Sequence, residues 1–223
     1  MPTVLTHLLT TTIDPQRGTK WPPDPTPFLP LVTTAQHHGA EVVILHDEPP
    51  IAPTPAHTEL VGTWSEDVYW RRWHHTLAWL MNHPEADTVF AVDGSDVTML
   101  RRPWAEIEPG FIYLGSETGP LANRWMLKGH PHPTLHSFMR DHARGTLYNA
   151  GIVGGARQTV LEFVTDMLDV YGELTKSGNV GSDMGLLNLV AHTRWTGKVI
   201  TGPRVHTTFK AYADNGVAWW THK

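Results

Sequence analysis

Two aspartates three positions apart, Asp93 and Asp96, follow directly on the apolar run Thr88-Val89-Phe90-Ala91-Val92. Carboxylates so spaced in a tight turn can face one hard cation. Mg²⁺ and Mn²⁺ want oxygen ligands and share them readily with phosphate. Gly94 keeps the turn small. An isolated Asp-Gly-Ser-Asp reads equally well as a solvated β-turn. Its place after an apolar strand favours the metal, because ligands of open α/β sheets sit beyond the carboxyl ends of the strands.

Two further segments suit the same chemistry. Asn149-Ala150-Gly151-Ile152-Val153-Gly154-Gly155 follows a short apolar strand. An asparagine amide can both donate to and accept from sugar hydroxyls, and glycines let backbone approach a ligand. Without a ligand the segment is a Gly-rich turn. Ser182-Asp183-Met184 opens a helix after a Gly-Asn-Val-Gly loop, where Asp183 can cap the helix or meet a sugar hydroxyl. Ten tryptophans, several of them close together, serve either packing or stacking against a sugar or base.

The elements that must position these residues follow from periodicity. A strand is expected over Thr3–Leu9, a proline-rich loop to Pro27, a helix over Phe28–His38 and a buried strand over Glu41–Asp47. Strand, helix, strand in that order favours a parallel sheet. Pro49–Thr58 reads as loop, Asp67–Asn82 as helix and Asp87–Val92 as strand. Gly110–Leu114 is the next strand, leading into Gly115-Ser116-Glu117-Thr118-Gly119; Leu147–Gly155 reads as strand then turn. Helices are expected over Thr159–Thr175 and Met184–Thr193, and a late strand near Lys198–Ile200. The expectation is one α/β domain over residues 1–223, Rossmann-like, with a mostly parallel central sheet and flanking helices.

Composition bounds the partners. Hydrophobic residues make up 40% and charged residues 17%, a globular balance. The chain has no cysteine, which removes disulfides, thiolate metal sites and a cysteine nucleophile. With no basic region before the first apolar run and no apolar run near the ~20 residues of a membrane span, a cytoplasmic protein without membrane contact is expected. The formal net charge of −5 argues mildly against a nucleic-acid partner.

The order of these features resembles the nucleotide-sugar-dependent glycosyltransferases of the GT-A fold. The spaced pair is similar to the Asp-x-x-Asp version of their DxD motif, as in the galactosyl- and glucosyltransferase domains of collagen-modifying enzymes. There the strand-end motif reads much like Phe90-Ala91-Val92-Asp93-Gly94-Ser95-Asp96-Val97, and an Asn-Ser-Gly turn corresponds to Asn149-Ala150-Gly151. The chain also resembles small phage-type proteins with Asp-Pro-Gln-Arg near the start and His-Lys at the end, here Asp14-Pro15-Gln16-Arg17 and His222-Lys223. It departs from the collagen-modifying enzymes at Met184, where they carry a further acidic residue.

The resemblance implies a hexosyltransferase using a divalent metal, Mn²⁺ or Mg²⁺, and a nucleotide-sugar donor, UDP-linked, with retention at the anomeric carbon. Asp93 and Asp96 would hold the metal with a late histidine, His222 or His206. His222 is favoured because Lys223 beside it can meet the diphosphate. Thr10, Thr11 and Thr12 would cradle the nucleoside and Asp47 the base or ribose. Arg17 and Arg72 would serve the diphosphate or sugar; Arg72 reads equally as a surface arginine over apolar neighbours. Asn149, Ala150 and Gly151 would face the donor, Asp183 the donor sugar or the reacting centre, and Glu117 the acceptor side. The acceptor stays open between protein, glycan and small molecule, favoured over DNA. A nucleotidyltransferase of similar fold and an inactive carbohydrate-binding module are the competing expectations.

Overall fold

The computed structural model describes residues 1–15, 17–63, 67–211 and 213–222. Among these residues seven strands form one sheet in the order β3-β2-β1-β4-β6-β5-β7. They are β1 (Thr3–Leu8), β2 (Glu41–His46), β3 (His57–Leu60), β4 (Thr88–Val92), β5 (Ile112–Pro120), β6 (Thr146–Ala156) and β7 (Val199–Ile200). β3, β2, β1 and β4 pair in parallel, as do β5 and β7; β6 alone runs against its neighbours β4 and β5. The mostly parallel α/β sheet expected from the sequence is therefore present, with one reversed strand in its middle.

Six α-helices among the described residues flank it: α1 (Leu29–His37), α2 (Val68–Asn82), α3 (Arg124–Gly129), α4 (Pro133–Asp141), α5 (Arg157–Leu174) and α6 (Asp183–Thr193). Alternation along β1 and β2 sorts the core into two layers. Leu5, Val43 and Leu45 pack with Trp70 and Trp73 of α2 and Phe163 of α5. Val4, Val42 and Ile44 pack with Leu31 and Val32 of α1 and with Trp219 and Trp220 of the last segment. Strands covered on both faces are apolar throughout rather than alternating, which is why they stood out. No helix among the described residues is long and apolar enough to cross a membrane.

Four expectations are corrected. Part of the loop Pro49–Thr58 enters β3, an edge strand whose short, half-polar sequence His57-Thr58-Glu59-Leu60 gives no apolar run. The strand expected to end at Leu114 continues through Gly115–Gly119 as part of β5. Asn149-Ala150-Gly151 is not a turn but the interior of the eleven-residue β6. Helices α3 and α4 occupy a stretch with no assigned element; they start from polar caps, Asn123 accepting from the Met126 N–H and the His132 ring from the Thr134 N–H.

Candidate functional site

The site is built where β4 ends against β6. The ladder continues one residue past β4, with the Asp93 N–H donating to the Gly151 carbonyl at 3.0 Å. That bond sets Asp93 opposite Gly151. Gly94 then turns the chain without a positive φ; its glycine is needed because a Cβ would lie 2.7 Å from the Phe28 ring and from Thr6 Oγ1. Beyond the turn, Thr98, Met99 and Leu100 pair with the last segment through the Thr221 N–H to the Thr98 carbonyl, the Met99–Trp220 bridge and the Leu100 N–H to the Trp219 carbonyl. The same pairing that buries Trp219 and Trp220 delivers His222 to Asp93.

β5 and β6 part company here. Their register jumps between Leu114 and Gly115, which pair with Val153 and Asn149. The His222 ring fills the gap. It rests against Gly115, where a Cβ would meet it at 3.1 Å, and against Gly151. A Cβ on Gly151 would lie 2.8 Å from Asp93 Oδ2, 2.9 Å from Asn149 Oδ1 and 3.0 Å from His222 Nε2. Three ligand-type atoms from β4's end, β6 and the last segment thus converge on one point kept open by a glycine.

Each converging group is fixed. Asn149 Nδ2 donates to Glu117 Oε1 at 2.6 Å and its Oδ1 accepts the Gly151 N–H at 2.6 Å, so the network turns the amide oxygen toward the point. His222 is 2% exposed, and burial, then the neighbouring His206, pushes its pKa down to about 3, leaving a neutral imidazole. Its Nδ1 has no hydrogen-bond partner among the described residues. Packing holds the ring, with Phe209 and His206 edge-on at 4.8 and 5.6 Å. His206 is committed elsewhere. Its Nε2 accepts the Ser116 N–H at 2.9 Å, so Nδ1 carries the proton donated to the Thr207 carbonyl at 2.6 Å. Of the two histidines, only His222 turns a ring nitrogen toward Asp93.

Arg72 of α2 forms the opposite wall. Its Nη1 reaches Asp93 Oδ1 at 2.8 Å, while Nε and Nη2 hold Asp183 Oδ2 at 2.9 and 2.5 Å. Nη2 also donates to the Ala150 carbonyl at 3.2 Å, and Trp73 Nε1 donates to Asp183 Oδ2 at 2.7 Å. Burial works against the Arg72 charge, but Asp183 and Asp93 outweigh it and raise its pKa. For Asp93, burial and the carboxylates of Asp96 and Asp183 outweigh Arg72 and raise the pKa. Asp183 begins α6, with Ser182 before it bonded to His130 Nε2 at 2.8 Å instead of capping the helix.

The three-point set Asp93, Asp96 and His222 is not gathered as expected. No three His, Asp or Glu side chains among the described residues form a ready metal cage. Arg72 occupies one oxygen of Asp93, Asp96 Oδ1 takes the Ser95 hydroxyl at 3.0 Å, and the third inward atom is the Asn149 amide oxygen. That carboxylate, amide and imidazole set still suits a divalent cation.

The nucleoside-side residues divide. Asp47 has no exposed side-chain surface and accepts from the N–H groups of Thr10 and Thr11 at 2.7 and 3.2 Å, from the Thr11 hydroxyl at 2.5 Å and from Arg71 at 3.3 Å. Burial would raise its pKa, but these bonds hold it below the ordinary carboxylate range. Its carboxylate is spent on holding the loop, so it does not offer itself to a base or ribose, and Thr10 and Thr11 are spent with it. Thr12 is half-buried beside them. Arg17, half exposed, pairs with Asp14 and lies over the Trp21 ring at 3.9 Å. Lys223 lies outside the described residues.

A concavity of about 400 Å³ lies elsewhere, between α5 and the end of α6, lined by Asp169, Glu173, Lys176 and Arg194. It is broad and shallow, and no candidate residue lines it. Sequence reasoning missed Trp73 and Gly115. Trp73 sits 110 residues from Asp183 in the chain, and no local pattern announces that contact. No protein-family model matches the chain, and no curated protein matches it either.

Proposed function

We propose that this chain is a metal-dependent glycosyltransferase that moves a hexose from a nucleotide sugar, UDP-linked, to an acceptor hydroxyl. The observation that carries the proposal is the convergence of Asp93 Oδ2, Asn149 Oδ1 and His222 Nε2 within 3.0 Å of the point above Gly151. It lies at the carboxyl end of β4 in a mostly parallel sheet, where ligands of such folds bind.

Asp93, Asn149 and His222 would hold the cation, with Asp96 adding negative charge beside Asp93. A bound divalent cation offsets the charge that grows on the departing diphosphate. Arg72 donates to both the Asp183 carboxylate and the Ala150 carbonyl, so it ties the backbone of β6 to the start of α6 on the side that would face the donor. Asp183 Oδ2 already accepts three hydrogen bonds, which suits a positioning carboxylate better than a proton acceptor. That agrees with retention, where no dedicated base is required. Glu117 orients Asn149 from the acceptor side.

A nucleotidyltransferase would want free basic residues in the loop after β1; Arg17 there is tied to Asp14 and Trp21. The deciding measurement is calorimetric titration of UDP with Mn²⁺ into the wild type and Asp93→Asn. Wild-type binding that needs Mn²⁺ and disappears in the variant is expected. Equal binding by both proteins, or none by either, sinks the proposal.

A further inference from the structure

Helix α3 lies in the chain between the strand of Glu117 and the helix that Asp183 begins, and it carries an indole that the fold leaves in solvent. Trp125 is 53% exposed, whereas Met126 beside it is fully buried. Arg124 and Lys128 are also exposed. Positions three and four apart are neighbours on a helix, so Lys128 adjoins both Arg124 and Trp125, and the two cations lie together on one side of the indole.

Both ends of α3 are fastened to segments that carry residues of the site. At its start, Asn123 Nδ2 donates to the carbonyl of Pro120, the last residue of β5, three positions beyond Glu117. At its end, Gly129 packs so closely on Gly181 that a Cβ there would collide with the Gly129 carbonyl. His130, fully buried, bonds Ser182 at 2.8 Å and sets its ring edge-on to Trp125, centroids 6.1 Å apart. Ser182 directly precedes Asp183. The indole is thus held by a buried histidine, on a helix spanning from the Glu117 strand to the start of α6.

A fixed, solvent-facing indole offers a flat apolar surface that the C–H face of a pyranose matches, and the two cations beside it offer partners for carboxylates. We propose that this face of α3 is an acceptor subsite for an acidic glycan, with Trp125 stacking on a sugar ring and Arg124 and Lys128 pairing with uronate groups. The proposal rests on the transferase reading given above. Two cations on a chain of net charge −5 fit a short acidic glycan better than a nucleic acid, which needs a longer basic track.

The test uses saturation-transfer NMR and calorimetry with trigalacturonate, maltotriose and a short oligo-dT on the full chain. Trigalacturonate is expected to bind the wild type and to weaken about tenfold in Trp125→Ala, while Trp125→Phe keeps most of the affinity. Arg124→Gln with Lys128→Gln weakens it about threefold, and added salt reduces it further. Mn²⁺-dependent UDP binding stays unchanged in all these variants. No trigalacturonate binding by the wild type, equal binding by Trp125→Ala, or tighter binding of maltotriose or oligo-dT overturns the subsite. Loss of UDP binding in the wild type would instead overturn the transferase reading, whatever the glycan does.

Discussion

Arg72 holds Asp183 with two of its nitrogens and gives the third to Asp93, so one guanidinium joins the start of α6 to the end of β4. Asp183 is only 2% exposed. Arg72→Met would strand that carboxylate, and removal of one partner of a buried pair costs on the order of 3 kcal/mol. Urea unfolding is expected to show that loss. The double variant Arg72→Met with Asp183→Leu should recover part of it, because no uncompensated charge is left; a double variant less stable than Arg72→Met would contradict the pairing.

Gly151→Ala probes the open point directly. The added methyl would sit within 3.0 Å of Asp93, Asn149 and His222 atoms, filling the space a cation would use. The substituted strand keeps its ladder, so Mn²⁺ affinity should fall well over tenfold while thermal stability drops by about 1–3 kcal/mol of overpacking. Manganese paramagnetic resonance and a melting curve separate the two effects.

The two late histidines should behave differently. His222→Ala is expected to remove Mn²⁺ affinity. His206→Ala loses the bonds to Ser116 and Thr207 and should cost stability, on the order of 1–3 kcal/mol, with a smaller effect on the metal. Parallel Mn²⁺ titrations and urea curves on both variants decide it; a reversed pattern would move the candidate ligand to His206.

Acid should weaken the fold through His75. It is 3% exposed, and burial, with Arg71 and His74 adding to it against the opposing Asp47, lowers its pKa to about 4. The unfolded chain binds that proton near pH 6.5, the folded chain only near 4. Stability therefore falls as pH drops through that window, by on the order of 3 kcal/mol. His7, whose pKa burial also lowers, adds to the same slope. Asp47, held below the usual range, contributes stability that disappears only at still lower pH. Urea curves from pH 7 to 4 should be flatter for His75→Gln; an unchanged slope would contradict the assignment.

The strands buried on both faces, the helix Asp67–Asn82 and the placement of Asp93 at a strand end were legible because periodicity and burial are local signals. The pairing of Arg72 with Asp183 and the seating of His222 between Gly115 and Gly151 were not, since residues about a hundred apart meet only after the sheet forms. Asn149-Ala150-Gly151 misled for a related reason. Asn and Gly favour turns, yet here tertiary contacts override that preference: Gly154 lies beneath Phe90, where a Cβ would collide, and Asn149 bridges Glu117 and its own strand. Asp47 looked like a ligand because a carboxylate at a strand end often is one; only its full set of partners reveals it as a loop fastener.

β6 runs against β4 and β5 and is paired on both sides. Asn149, Ala150 and Gly151 therefore sit in the part of the chain where amide protons should exchange with solvent most slowly. The floor of the site would then be among the last regions to open, while the exposed face of α3, proposed above as its rim, can be exchanged piecemeal. Under the proposed transferase reading, descendants of such a chain would acquire a new recipient for the sugar by altering the rim, with the proposed donor-binding geometry left undisturbed.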